Sequence, residues 1–245
     1  MAKQQKRKEP HKSNRAKVGV GNAKVGAVVA LPPRSRRGST TATPTKDRRD
    51  ACPTKEILLA GSGGQGVILA GKMLAQAAVA EGWNATYIPA YGAEVRGGTA
   101  YCHVKIGRRQ IGSPIVEDAT IVVAMNEPSY KAFCPLLRKG STLVVNSSLV
   151  PSVGKHAGVK IVSLELTKIA ADMGSLRSAN MLVFGLCAGL LGLNNLEQLI
   201  GVLAEALGKK NPGIFEINRQ ILERGVELGL SHSYSSLLNT QFNVG

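Results

Sequence analysis

Ile57-Leu58-Leu59-Ala60-Gly61-Ser62-Gly63-Gly64-Gln65-Gly66-Val67 sets a short apolar run directly before a glycine-rich turn. Residues 67–80 then carry apolar side chains at helical spacing, so the segment reads as strand, glycine turn and helix. Gly82 closes that helix, and residues 84–89 read as a second strand. A loop over 90–98 leads to a strand at 99–106, which 107–110 is expected to turn back onto a short partner at Ile111. The β-branched run 119–125 suits a strand buried on both faces. Pro128 suits the first turn of a helix over 129–138, ended by Gly140. Strands at 141–146 and 159–164 follow, then helices at 179–191, 196–207 and 212–228. The expected class is therefore α/β: a Rossmann-like, mostly parallel sheet flanked by helices, with a helical C-terminal third and a disordered basic N-terminal tail.

The tail is expected over residues 1–53 and a single domain over 54–245. Residues 1–55 hold 15 Lys+Arg against 3 Asp+Glu, whereas 56–245 hold 16 against 13. The overall charge of +15 is thus mostly the head's, and a nucleic-acid role inferred from it would concern the head alone. The head is rich in Lys, Arg, Ser, Thr, Gly and Pro and cannot offset its ordering entropy. A basic extension or over-long start, a nucleic-acid or partner-binding arm and an organellar transit peptide all fit it. The longest apolar run, 181–193, falls short of the ~20 residues a membrane span needs. Cys52, Cys102, Cys134 and Cys187 form no C-x-x-C pair and read as reduced thiols of a cytoplasmic protein.

Gly61-x-Gly63-x-x-Gly66 satisfies the dinucleotide fingerprint in its strand–turn–helix context. A nicotinamide site also needs a carboxylate at the end of the second strand, where this chain has Ile88-Pro89-Ala90. A Walker-type site needs a lysine after the last glycine, where Val67 stands. The glycines equally suit a tight turn that packs helix against sheet. In Pro89-Ala90-Tyr91-Gly92-Ala93-Glu94-Val95-Arg96-Gly97-Gly98, Arg96 suits a phosphate or carboxylate clamp, or an ion pair with Glu94 that shapes the loop. His103 and His156 have no triad or metal-site partners in sequence and read as structural, and no base follows Ser62 in a hydrolase order.

Gly61-Ser62-Gly63-Gly64-Gln65-Gly66, then Tyr91-Gly92-Ala93-Glu94-Val95-Arg96-Gly97-Gly98, Ile111-Gly112-Ser113-Pro114-Ile115-Val116 and Ala124-Met125-Asn126-Glu127-Pro128 closely resemble the gamma subunit of 2-oxoacid:ferredoxin oxidoreductases. Ser178-Ala179-Asn180-Met181 is similar to a later Asn-Met element of that family, so the resemblance spans about residues 56–228. Ala93, Thr120 and the basic head depart from the pattern.

The resemblance implies a subunit of a complex that oxidatively decarboxylates a 2-oxoacid to an acyl-coenzyme A and passes electrons to ferredoxin. 2-Oxoglutarate is the preferred substrate, pyruvate or indolepyruvate the alternative; a stand-alone nucleotide-binding oxidoreductase is the alternative of another class. Thiamine diphosphate, magnesium and iron–sulfur clusters are expected on companion alpha, beta and ferredoxin-like delta subunits, with none bound by this chain alone and no catalytic residue of its own. Gly61, Gly63, Gly64, Gln65, Gly66, Arg96, Gly97 and Gly98 are the candidate residues, facing coenzyme A or a subunit interface.

Overall fold

The computed structural model describes residues 28–30, 53–92, 98–208 and 212–234. Arg96 and Gly97, Cys52 and nearly all of the basic head lie outside these described residues.

Seven strands form one sheet in the order β1-β3-β4-β2-β5-β6-β7. They are β1 (Val28–Ala30), β2 (Lys55–Ser62), β3 (Asn84–Tyr91), β4 (Thr99–Gly107), β5 (Ala119–Ala124), β6 (Leu137–Asn146) and β7 (Lys160–Leu164). β2, β5, β6 and β7 run parallel, and β3 shares their direction because β4 intervenes antiparallel to both β2 and β3. The helices are α1 (Val67–Ala80), α2 (Glu127–Phe133), α3 (Leu166–Asp172), α4 (Ala179–Leu191), α5 (Leu196–Leu207) and α6 (Pro212–Tyr234). None of them is long and apolar enough to cross a membrane.

The apolar run that opens β2 is wholly buried because both sheet faces are covered. Successive side chains of a strand point to opposite faces, so the run divides between two cores. Ile57 and Leu59 enter the larger core beneath α1, α4, α5 and α6. Leu58 and Ala60 enter a smaller core on the other face, with Val122, Phe133, Leu143, Val145 and Val150.

Several expectations hold to the residue: α1, α4 and α5 span 67–80, 179–191 and 196–207. Others need correction. Ile111 forms no strand, because β4 already has β2 on one side and β3 on the other and so offers no free edge. The helix expected over 129–138 stops at Phe133 and tightens into a 3-10 turn, Cys134–Leu136. Pro135 lacks the N–H that would continue the helix, and β6 begins at Leu137. α3 adds an element that the sequence pattern does not announce, and α6 runs on past 228 to Tyr234. Within the basic head, Val28–Ala30 pairs antiparallel with β3.

α4 and α6 cross at glycines. Gly185 and Gly189 on one helix face Gly225 and Gly229 on the other, each pair spaced one turn apart, so backbone meets backbone. A Cβ built on Gly189 would lie 2.5 Å from the Val226 carbonyl oxygen and 2.9 Å from the Gly229 Cα.

Candidate functional site

β2, β3, β5, β6 and β7 all end at one edge of the sheet, and the glycine turn leaves β2 there. Gly64 (φ 96°) and Gly66 (φ 71°) adopt left-handed backbone that glycine alone takes without strain. Gln65 folds back over the turn: its Oε1 accepts from the Ser62 N–H at 2.7 Å and its Nε2 donates to the Met125 carbonyl at 3.4 Å. The side chain thereby ties the end of β2 to the end of β5. Gly61 leaves room for it, since a Cβ there would lie 2.6 Å from Gln65 Oε1.

The Gly63 N–H donates to the Gly98 carbonyl at 3.0 Å, so the two glycine segments singled out in the sequence do meet. That contact also narrows the expected anion cradle. Gly63 is engaged with Gly98, and the Gln65 N–H donates to Ser62 O at 3.1 Å. Gly64 and Gly66 remain the turn's donors without a bond among the described residues.

Three asparagines brace this edge. Asn126 caps α2 by accepting from the Ser129 N–H at 2.9 Å, and its amide donates to Ser62 Oγ. Asn146, fully buried, donates to the Met125 carbonyl and to Thr167 Oγ1 and accepts from the Thr167 N–H, locking β6 to β5 and α3. Asn180, at the start of α4, packs against Gly66: a Cβ on that glycine would sit 2.8 Å from Asn180 Cγ. The Asn126-Glu127-Pro128 order is a helix-start signature visible in sequence. No local pattern marks Asn146 or the meeting of Asn180 with Gly66.

The turn separates two cavities, both of which Gly64 lines. One, about 370 Å³, lies between the turn, the first turns of α1 and the end of β3, with Lys72, Tyr87 and Tyr91 on its wall. The Tyr87 hydroxyl donates to the Ile68 carbonyl at 3.0 Å, and burial raises its pKa, so it stays protonated. The second, about 250 Å³, is lined by Gln65, Met125, Leu149, Thr167, Leu176 and Arg177 among others. At the end of β3, where a nicotinamide site would need a carboxylate, Tyr91 stands.

Thiol chemistry is absent from the described site. Burial pushes Cys187 up to about 12 and raises Cys102 further, so neither is a thiolate at neutral pH. Among the described residues no three His, Cys, Asp or Glu side chains gather as a metal site.

His103 and His156 both have structural partners. His156 Nε2 lies 3.0 Å from the Tyr130 hydroxyl, and His103 Nδ1 accepts from the Val116 N–H at 3.2 Å. Burial, with Lys105 adding repulsion, lowers the His103 pKa to about 4. The unfolded chain therefore binds a proton between about pH 6.5 and 4 that the folded chain refuses, and stability falls as pH falls through that window. His103→Asn keeps an acceptor for Val116 and does not titrate. Its melting temperature is expected to fall less steeply than the parent's between pH 7 and 4.5, a difference of roughly 1–3 kcal/mol; parallel profiles would contradict this.

The sequence profile of the pyruvate ferredoxin/flavodoxin oxidoreductase family matches residues 56–228. The chain belongs to that family. The ketoisovalerate oxidoreductase subunit VorA of Methanothermobacter thermautotrophicus is 35% identical over 177 residues, covering 71% of this chain but 36% of the relative. The chain thus spans about a third of that relative's length. The 2-oxoglutarate synthase subunit KorC of the same organism is 31% identical over 181 residues, which cover 71% of this chain and 94% of KorC. Among solved structures, the gamma subunit of a keto/oxoacid ferredoxin oxidoreductase from Geobacter sulfurreducens aligns with a TM-score of 0.61 at 26% identity, over 72% of this chain and 99% of that one. The fold is also shared with a 2-oxoglutarate:ferredoxin oxidoreductase from Magnetococcus marinus, solved with 2-oxoglutarate, coenzyme A and succinyl-CoA bound (TM-score 0.67, 23% identity, 73% of this chain and 31% of that chain). The family read from the glycine and Asn-Met motifs is the family found.

Proposed function

We propose that this chain is the gamma-type subunit of a 2-oxoacid:ferredoxin oxidoreductase. In the complex's reaction the 2-oxoacid loses its carboxylate as carbon dioxide, its acyl group joins the coenzyme A sulfur, one proton is released and two electrons pass to ferredoxin. The observation that carries the reading is the paired glycine segment, with Gly63 bonded to Gly98 at the edge where the parallel strands end, inside the region matched by the family. 2-Oxoglutarate is the preferred substrate, supported by the relative that this chain matches nearly end to end. The ketoisovalerate relative, at higher identity, favours a branched 2-oxoacid as the second reading.

The chain's own share is to receive coenzyme A. The Gly64 and Gly66 N–H groups, unbonded among the described residues, with Lys72 on the wall of the larger cavity, suit a phosphate of that substrate. Arg96, in the segment between Gly92 and Gly98, supplies a further cation, and Gly97 allows close approach. Thiamine diphosphate with its magnesium and the iron–sulfur clusters sit on companion alpha, beta and ferredoxin-like subunits in this reading, in keeping with thiols that are scattered here, Cys102 and Cys187 buried and Cys134 half-buried. In the assembled complex Arg96→Ala is expected to raise the coenzyme A KM about tenfold while leaving the 2-oxoacid KM near the parent's. An unchanged coenzyme A KM with intact assembly would remove Arg96 from the site.

A further inference from the structure

Strand β1 comes from outside the region that the family profile matches, yet it completes the sheet. Val28, Val29 and Ala30 pair antiparallel with Tyr87, Thr86 and Ala85 of β3. The match begins at residue 56, so this pairing seats a piece of the basic head on the domain. Without β1, β3 would be the outermost strand on that side, with one row of its N–H and C=O groups unpaired.

Sheets guard their outer strands by shortness, by charge or by proline. The opposite outer strand, β7, is five residues long and begins with Lys160. β3 is eight residues long, Asn84-Ala85-Thr86-Tyr87-Ile88-Pro89-Ala90-Tyr91, and carries no charged side chain. Its one guard is Pro89, which has no N–H to offer a neighbouring strand and sits in the second half. The three residues that β1 covers lie in the first half, where β3 has neither charge nor proline. The cover therefore falls where the strand's own sequence provides none.

We infer that β1 is a plug: residues 28–30 occupy a strand-accepting edge of β3 and keep out the same edge of a second copy of this chain. Two such edges related by a two-fold axis pair antiparallel, as an isologous interface requires. Main-chain bonds supply the recognition, so the device is independent of the reaction and of any companion subunit.

Successive N–H groups along a strand point to opposite sides, so one of Val29 and Ala30 faces β3 with its N–H. Val29→Pro combined with Ala30→Pro removes that donor in the full chain, whichever residue carries it. By hydrogen exchange at low protein concentration, the amides of residues 84–88 are expected to exchange at least tenfold faster in the double variant than in the parent. As its concentration is raised to about 1 mM, the variant is expected to dimerise in sedimentation and to regain that protection, while the parent stays monomeric. Glycine at all three of positions 28–30, which weakens the strand without a proline, should shift both readouts in the same direction. Thr41→Pro, elsewhere in the head, should match the parent in both. Equal exchange over residues 84–88 in the parent and both strand variants would overturn the cover. Faster exchange with no dimer up to that concentration, or a parent that dimerises as tightly as the variants, would overturn the plug.

Discussion

Gly185→Val is expected to lower the melting temperature of the full chain by roughly 6–12 °C, corresponding to about 3 kcal/mol. Two effects oppose each other at this position. A glycine inside a helix costs about 1 kcal/mol relative to alanine, so any side chain gains something in propensity. Against that, a Cβ at Gly185 would collide with the Leu222 carbonyl and lie 2.9 Å from the Val226 nitrogen, and backbone cannot swing aside as a side chain can. The collision wins, because α4 and α6 can relieve it only by moving apart and uncovering the core around Leu182, Leu186 and Leu222. Gly201 in α5 provides the contrast: a Cβ there meets nothing within 4 Å, so Gly201→Ala should raise the melting temperature by about 1–4 °C. A Gly185→Val protein as stable as the parent would show that the close crossing is absent in solution.

Gly66→Ala should damage the site more than any neighbouring exchange. The position has φ 71°, which costs a residue with a side chain about 1–2 kcal/mol, and the new Cβ would press on Asn180 Cγ and Cβ at 2.8 and 3.0 Å. Relief requires the start of α1 to move from the start of α4, carrying the turn with it. In the assembled complex, kcat/KM for coenzyme A is expected to fall at least tenfold. Gly82→Ala shares the positive φ but meets nothing within 4 Å, at the far end of α1 from the turn, and should lose about 1 kcal/mol of stability with unchanged kinetics. Asn180→Ala placed on Gly66→Ala should restore part of the lost stability by removing the amide. Equal stability of Gly66→Ala and Gly82→Ala would contradict the Asn180 contact.

Much of this was legible because its causes are local. The buried run 57–60, the glycine turn and the helix 67–80 follow from apolar periodicity and backbone freedom, which neighbours in sequence determine. Pairing is not local. Whether β4 turned back on Ile111 or slipped between β3 and β2 depended on which edges were vacant, and that is settled across the whole sheet. The same holds for the site. Glycines at Gly61 and Gly66 suggested a phosphate turn, but their immediate reasons are Gln65 folding over the first and Asn180 packing on the second. In that arrangement Gly63 and Gln65 commit their N–H groups to internal bonds, which no spacing rule reveals.

The proposed role of this chain is that of a subunit of a coenzyme A-dependent 2-oxoacid oxidoreductase. The most direct measurement is anaerobic affinity purification of the tagged full chain from its own host, followed by a ferredoxin-reduction assay with 2-oxoglutarate, 2-ketoisovalerate and pyruvate in turn. Co-purifying thiamine- and cluster-binding subunits are expected, with ferredoxin reduction that requires both coenzyme A and one of these 2-oxoacids. A chain that purifies alone and yields no such activity with any of the three would contradict it.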